Sequence, residues 1–292
     1  LKFPWADFFS SDVSLKVTVE NVKGNDARLD ISRKVMGKIF KTLESKLKFS
    51  PKIELKHPDV EILVVRSGEE YFVGIDLCGK DLTSRAYRVF ASHAAFKGDL
   101  GYYLVRKSGF KTGEKLLVGF AKDGTVAIEA TLFANGLMVN SLSGLSWEKF
   151  PGWKELTLPK EQKFNEQIPK LQAFDESNQN LIAAKKNSTL ASTKELIEFH
   201  RYALDELELK YESGEFDRLF FQLTTKDEDR LNEIYYQAEQ LLKKGGTLLL
   251  LTRKGVELSV SSKFKLVSEE EIRRGESFYK VWVMERKVIE SK

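Results

Sequence analysis

The chain has 292 residues, enough for two domains of ordinary size that each bury a core. Its 42% hydrophobic and 31% charged residues are those of a globular protein, and 47 basic against 43 acidic residues leave a net charge of only +4, too little for the overall balance to announce nucleic acid. Apolar runs such as 248–251 are far too short to cross a bilayer, and residues 1–12 lack the basic start and apolar stretch of a signal peptide. A single cysteine, Cys78, excludes an intramolecular disulfide framework and a multi-cysteine metal site, so a reducing, cytoplasmic setting is the simplest expectation. His57, His93 and His200 lie far apart without ligand spacing, so no metal is expected, and no Gly-x-Ser-x-Gly elbow points to covalent catalysis.

In chain order, residues 14–22 read as a strand and 27–48 as a long amphipathic helix, because Val35, Ile39, Leu43 and Leu47 recur at four-residue steps with Met36 and Phe40 widening the stripe. Two β-branched runs, 60–66 and 71–77, flank the turn-like 67–70 and predict a hairpin. From about residue 81 helices alternate with short apolar runs. The expected order is a helix at 97–107, a strand at 115–120, a helix at 126–137, a strand at 171–175, a helix at 179–190, strands at 197–202 and 217–223, a helix at 228–244 and a strand at 246–252. Strands at 264–268 and 277–285 close it as an antiparallel pair. That pattern predicts a sheet with helices on both faces. Residues 140–167, with Trp147, Pro151, Trp153 and Pro159, interrupt the alternation as an insertion.

Residues 79–137 carry an ordered series of motifs. Gly79-Lys80-Asp81-Leu82 is followed by Arg85, Tyr87 and Arg88, then by the segment 100–109, then by Gly124-Thr125-Val126-Ala127-Ile128-Glu129-Ala130. In this order they resemble the junction of the THUMP-domain RNA methyltransferases, which include the archaeal tRNA and bacterial ribosomal-RNA guanine-N2 methyltransferases. Upstream, Pro58-Asp59-Val60 resembles the start of a strand in the THUMP module. The resemblance covers most of the chain and implies an α/β protein. A THUMP-like RNA-binding module would span 1–80, and a Rossmann-like methyltransferase domain 81–292, with a mostly parallel seven-stranded sheet ending antiparallel. It also implies structured RNA, tRNA foremost, as partner and S-adenosylmethionine as methyl donor. The family carries a further small segment before its THUMP core, and the sequence begins almost at that core; the expectation is a reduced segment or a trimmed sequence.

The family's donor loop reads Asp-Pro-(Phe/Met)-Cys-Gly-Ser-Gly-Thr. Aligned on Gly124-Thr125, this chain reads Val118-Gly119-Phe120-Ala121-Lys122-Asp123-Gly124-Thr125. Val118 replaces the opening acid, and Lys122 replaces a glycine that lets the backbone approach the donor. Gly124-Thr125 could equally just start a helix after a strand. Asp175 keeps the place of the acid that accepts from the donor ribose, a position where a carboxylate also serves as an ordinary helix cap. The family's Gly-Asp-Ala is replaced by Tyr202-Ala203-Leu204, and Asp205 could substitute only with a shift of two residues. The catalytic Asn/Asp-Pro-Pro-aromatic motif is replaced by Gln222-Leu223-Thr224-Thr225; Gln222 could still accept a hydrogen bond from a target amine, without the rigid prolines or the aromatic ring. The resemblance thus nominates Phe120, Gly124, Thr125, Asp175 and Asp205 for the donor and Gln222 for the chemistry.

Within 22–56, ten Lys or Arg face four acidic residues, and Lys34, Lys38, Lys41 and Lys48 run along one side of the helix. A solvated lysine face is the bland reading; the resemblance makes it a phosphate-contacting one. Arg85 and Arg88 could contact RNA or brace the domains. The expectation is an RNA-binding protein with an eroded S-adenosylmethionine site, weakly active or a noncatalytic pseudoenzyme, its cofactor S-adenosylmethionine or none. The alternative is an active guanine-N2 methyltransferase rearranged around Asp175, Gly124 and Gln222. A third reading is a scaffold on which Trp147 and Trp153 form a protein-partner surface.

Overall fold

A computed structural model describes residues 3–92, 95–139, 145–150, 168–223, 227–256, 258–274 and 277–288. The chain forms two compact units. One consists of the described residues up to Leu82 together with 145–150, the other of Thr83–Val139 and the described residues from 168 onward.

The first unit is built on β1 (Ser14–Glu20), α1 (Asn25–Leu47), β2 (Lys52–Ile53), β3 (Val60–Ser67) and β4 (Glu70–Asp76). The sheet order is β2-β1-β3-β4, parallel except for the β3–β4 hairpin. Alternate residues Leu15, Val17 and Val19 of β1 and Val60, Ile62 and Val64 of β3 are buried on one face, where Ile39 and Leu43 of α1 join them in one core. Asp59 ties β1 to β3: it accepts from the Ser14 N–H (3.1 Å) and hydroxyl (2.7 Å). The two-residue β2 carries no pattern long enough to foresee. Segment 145–150, which by sequence interrupts the second domain, belongs to this unit. The N–H groups of Ser146 and Trp147 bond to the carbonyls of Cys78 and Leu77, Phe150 is fully buried, and Trp147 packs partly buried on the same core. A side chain at Gly79 would run into Ser146, so glycine is required for this close approach. Trp147 is therefore a core contact and not part of an exposed partner surface; Trp153 lies outside the described residues.

The second unit contains α2 (Gly98–Lys107), β5 (Leu116–Gly119), α3 (Thr125–Ala134), β6 (Leu171–Phe174), α4 (Asn178–Leu190), β7 (Ile197–His200), β8 (Phe216–Leu223), α5 (Glu228–Leu241), β9 (Leu242–Arg253), β10 (Phe264–Arg274) and β11 (Ser277–Arg286). The seven-stranded order is β10-β11-β9-β8-β5-β6-β7, with β9 through β7 parallel and β11 antiparallel to both neighbours. The buried runs feed two cores. Leu116 and Val118 of β5 and Leu249 and Leu251 of β9 meet Leu104 of α2 and Ile128 of α3, whereas Leu117, Leu248 and Leu250 meet Leu231, Ile234 and Leu241 of α5. A strand buried on both faces reads as a continuous apolar run, which is why these strands were legible. β10 extends six residues beyond the expected 264–268, through Glu269, Glu270 and Glu271, polar residues that periodicity assigns to a loop. No helix among the described residues is long and apolar enough to cross a membrane.

Candidate functional site

From β5 the sheet continues one way to β6 and β7 and the other way to β8 and β9, so the crevice at their carboxyl ends is the topological switch point of the second unit. The loop leaving β5 shapes this crevice. Phe120 (φ 55°), Lys122 (φ 54°) and Gly124 (φ 80°) all take left-handed conformations. At Gly124 glycine is doubly required, because a Cβ would lie 3.0 Å from that of Ala184. Lys122 takes a left-handed backbone that glycine would adopt without strain, at a cost of about 1 kcal/mol.

Asp175, immediately after β6, is 2% exposed, and its carboxylate is engaged inside the protein. One oxygen accepts the Lys122 N–H (2.9 Å), and the other accepts the Ser177 N–H (2.9 Å) and the Asn180 side-chain amide (3.0 Å). Asp123 is fully buried. Its Oδ1 accepts from the Thr125 N–H and hydroxyl (3.2 and 2.7 Å) and its Oδ2 from Arg88 Nε (2.8 Å) and the Ser92 N–H (3.3 Å). The start of α3, where unpaired N–H groups and the helix dipole favour an anion, therefore already carries a carboxylate of the chain itself.

Phe120 packs inward against Phe174 and Phe221 (ring centroids 5.5 and 5.9 Å apart), with Arg230 4.6 Å above its ring and held by Glu176 at 2.7 Å. Gln222, near the end of β8, is 7% exposed; with Ala95, Phe96, Val118, Phe120 and Lys122 it borders a cavity of about 10 Å³, room for one water. Thr224 and Thr225, which complete that motif, lie outside the described residues. Asp205 sits exposed in the 3-10 turn Leu204–Leu209, and Tyr202 stacks on His200 at 5.0 Å. Of the nominated residues Phe120, Thr125 and Gln222 border this cavity, Gly124 precedes Thr125 in the same loop, and Asp175 is tied to that loop through the Lys122 N–H. Among the described residues no cluster of three His, Cys, Asp or Glu side chains is placed to hold a metal ion.

The arginines take an internal role. Arg85 is bidentate on Glu129 (2.6 and 3.4 Å), with side chains 7% and 1% exposed, and the Tyr87 hydroxyl donates to the same carboxylate at 2.6 Å. Burial works against the Arg85 charge but Glu129 outweighs it and holds its pKa above the usual value, while burial and then Glu129 push the Tyr87 phenol up. Arg88 is similarly paired with Asp123. The expected RNA contacts of Arg85 and Arg88 are corrected accordingly: their charges neutralise buried carboxylates within the second unit. Sequence reading missed Glu129 and Asp123 as the partners, although a glutamate inside the otherwise uncharged helix Thr125–Ala134 was the available signal. By contrast Lys34, Lys38, Lys41 and Lys48 are all exposed. At 100° per residue Lys34, Lys38 and Lys41 fall within an arc of about 60° opposite the buried Ile39 and Leu43, whereas Lys48 lies just past the helix as its left-handed cap.

Residues 85–269 match the family described as RMKL-like, methyltransferase domain, and residues 1–76 match the THUMP domain. The chain belongs to the RMKL-like methyltransferase family. Among relatives of this RMKL-like chain, a ribosomal RNA large subunit methyltransferase K/L from Photobacterium profundum is 32% identical over 56% of the chain and 24% of its own length. A tRNA (guanine(6)-N2)-methyltransferase from Archaeoglobus fulgidus is 28% identical over 57% of the chain and 40% of its own length, so the match spans less than half of either relative. The fold is that of TrmN from Thermus thermophilus (TM-score 0.63, 22% identity, 94% of this chain and 72% of that one). It is also that of the methyltransferase-like SMU.472, complexed with SAH (TM-score 0.71, 14% identity, 98% and 78%).

Proposed function

We propose that this RMKL-like chain is a cytoplasmic RNA-binding protein, tRNA its foremost partner, that transfers methyl groups weakly or not at all. The observation that carries the second half is Asp175: the carboxylate positioned for a donor ribose is buried and bonded to the Lys122 backbone, Ser177 and Asn180. Lys122 in the loop after β5 and the small size of the neighbouring cavity, about 10 Å³ between Val118 and Gln222, support the same reading. RNA binding is supported by the THUMP match, by the exposed lysine face of α1, and by relatives named for tRNA and ribosomal RNA. The single cysteine supports a reducing compartment.

The alternative, a guanine-N2 methyltransferase with a rearranged site, is favoured by one observation: Asp175 remains just after β6 and a polar Gln222 near the end of β8, with β5 between the two strands. Calorimetric titration with S-adenosylmethionine and S-adenosylhomocysteine separates the two. The expected result is no binding in the micromolar range. Micromolar binding that Asp175→Asn abolishes in a folded variant would overturn the noncatalytic reading and make methylation of tRNA the next assay.

A further inference from the structure

A groove of about 610 Å³ opens between Phe90, Ala91 and Ser92, the loop residue Lys122, and Gln179, Asn180, Ile182, Ala183 and Lys186 of α4. None of these lining residues is acidic, and the volume suits a ligand of drug or nucleotide size. Phe90 is 39% exposed and Ile182, on the same lining, 47% exposed. The Lys186 ammonium stands 4.7 Å from the Phe90 ring centroid.

The exposed ring is held deliberately. The Phe90 N–H donates to Asn187 Oδ1 (3.0 Å), its carbonyl accepts from Asn187 Nδ2 (3.0 Å), and the same amide reaches the Asp123 carbonyl at 2.9 Å. Asn187 is fully buried, so two of these hydrogen bonds fix the backbone that presents Phe90 to solvent and the third anchors Asn187 to the loop after β5. An aromatic platform fixed in advance, an aliphatic wall, the Lys186 ammonium beside the ring and a second lysine, Lys122, in a lining without a carboxylate match a ligand that joins a flat π-face to an anion.

We propose that this groove seats one nucleotide unit of RNA, its base against Phe90 and Ile182 and its phosphate on Lys122 and Lys186. The inference rests on the RNA-binding reading and adds to it a place where the RNA chain is held on the second unit. Stacking supplies sequence-tolerant affinity and the lysines supply the salt-dependent part.

The test uses the full chain and a tRNA transcript, with affinity measured by filter binding across a salt series for the native protein, Phe90→Ala, Phe90→Trp and Lys186→Gln. Phe90→Ala is expected to weaken binding about tenfold with an unchanged salt slope, and Phe90→Trp to bind as the native protein does while its added emission is quenched by tRNA. Lys186→Gln should lower the magnitude of the slope by about one. If the native protein binds tRNA but both Phe90→Ala and Lys186→Gln bind within twofold of it, and the Phe90→Trp emission is unaffected, the groove is not the seat and RNA binding stands without it. If the native protein fails to bind tRNA at low salt, the RNA reading falls and the groove assignment with it. Binding of an acidic peptide that Phe90→Ala and Lys186→Gln both abolish, with tRNA affinity unchanged in the same variants, would overturn the nucleotide assignment in favour of a protein partner.

Discussion

Glu129 and Arg85 form a buried pair, and removing one partner of such a pair leaves an uncompensated charge. Glu129→Ala is therefore expected to cost about 3–5 kcal/mol in urea denaturation, and the double variant Glu129→Leu/Arg85→Met to recover most of that loss. Lys122 behaves differently, since its unfavourable feature is its backbone. Lys122→Gly relieves the left-handed strain and should leave stability unchanged or raise it by up to about 1 kcal/mol, read as a thermal midpoint. The glycine keeps the N–H that Asp175 accepts, so the variant is expected to remain without micromolar S-adenosylhomocysteine binding; tight binding would locate the obstruction in the lysine side chain alone.

At the level of the elements, Asp217 at the start of β8 joins three strands: it accepts from the Lys115 N–H (2.9 Å) ahead of β5 and from Lys243 Nζ (2.7 Å) on β9. Partial burial raises its pKa, but the Lys243 hydrogen bond and the Lys115 N–H outweigh this and hold it below the usual carboxylate value. A depressed folded pKa contributes stability that is present above the unfolded value near 4 and is lost as pH falls through the folded one. Asp217→Asn should thus cost about 1 kcal/mol at neutral pH, a screened surface value, and progressively less in acid unfolding experiments. On α1 the exposed lysines invite a different measurement. Replacing Lys34, Lys38 and Lys41 with Gln should flatten the salt dependence of tRNA affinity by about one per lost phosphate contact, with thermal stability nearly unchanged; an unaltered slope would return that face to the solvent.

At the scale of the molecule, the family match places a methyltransferase-type sheet and a THUMP domain in one chain. If both units hold the same RNA through independent contacts, their losses add in free energy. The combined variant Lys38→Gln/Phe90→Ala should then lose affinity by the product of the single losses, whereas a combined loss well below that product would mean that the two contacts are coupled and not independent.

The sequence by itself determined the longer strands and helices, though not β2 or the full length of β10, because a period of two in β1 and β3, a four-residue recurrence in α1 and continuous apolar runs in β5 and β9 are local patterns. It also determined the family, through motifs whose order is visible without a structure, and it marked Lys122 as foreign to a glycine loop. Only the tertiary structure decided where the charges go. Arg85 meets Glu129 across 44 residues, Lys122 meets Asp175 across 53, and Phe90 meets Asn187 across 97. Segment 145–150 likewise belongs to the first unit through bonds to Leu77 and Cys78 that no periodicity encodes. Periodicity reports which face of an element is apolar. Whether a carboxylate at the end of a strand remains available to a ligand depends on the donors that folding brings to it, and for Asp175 these include a backbone N–H that has no signature in the sequence.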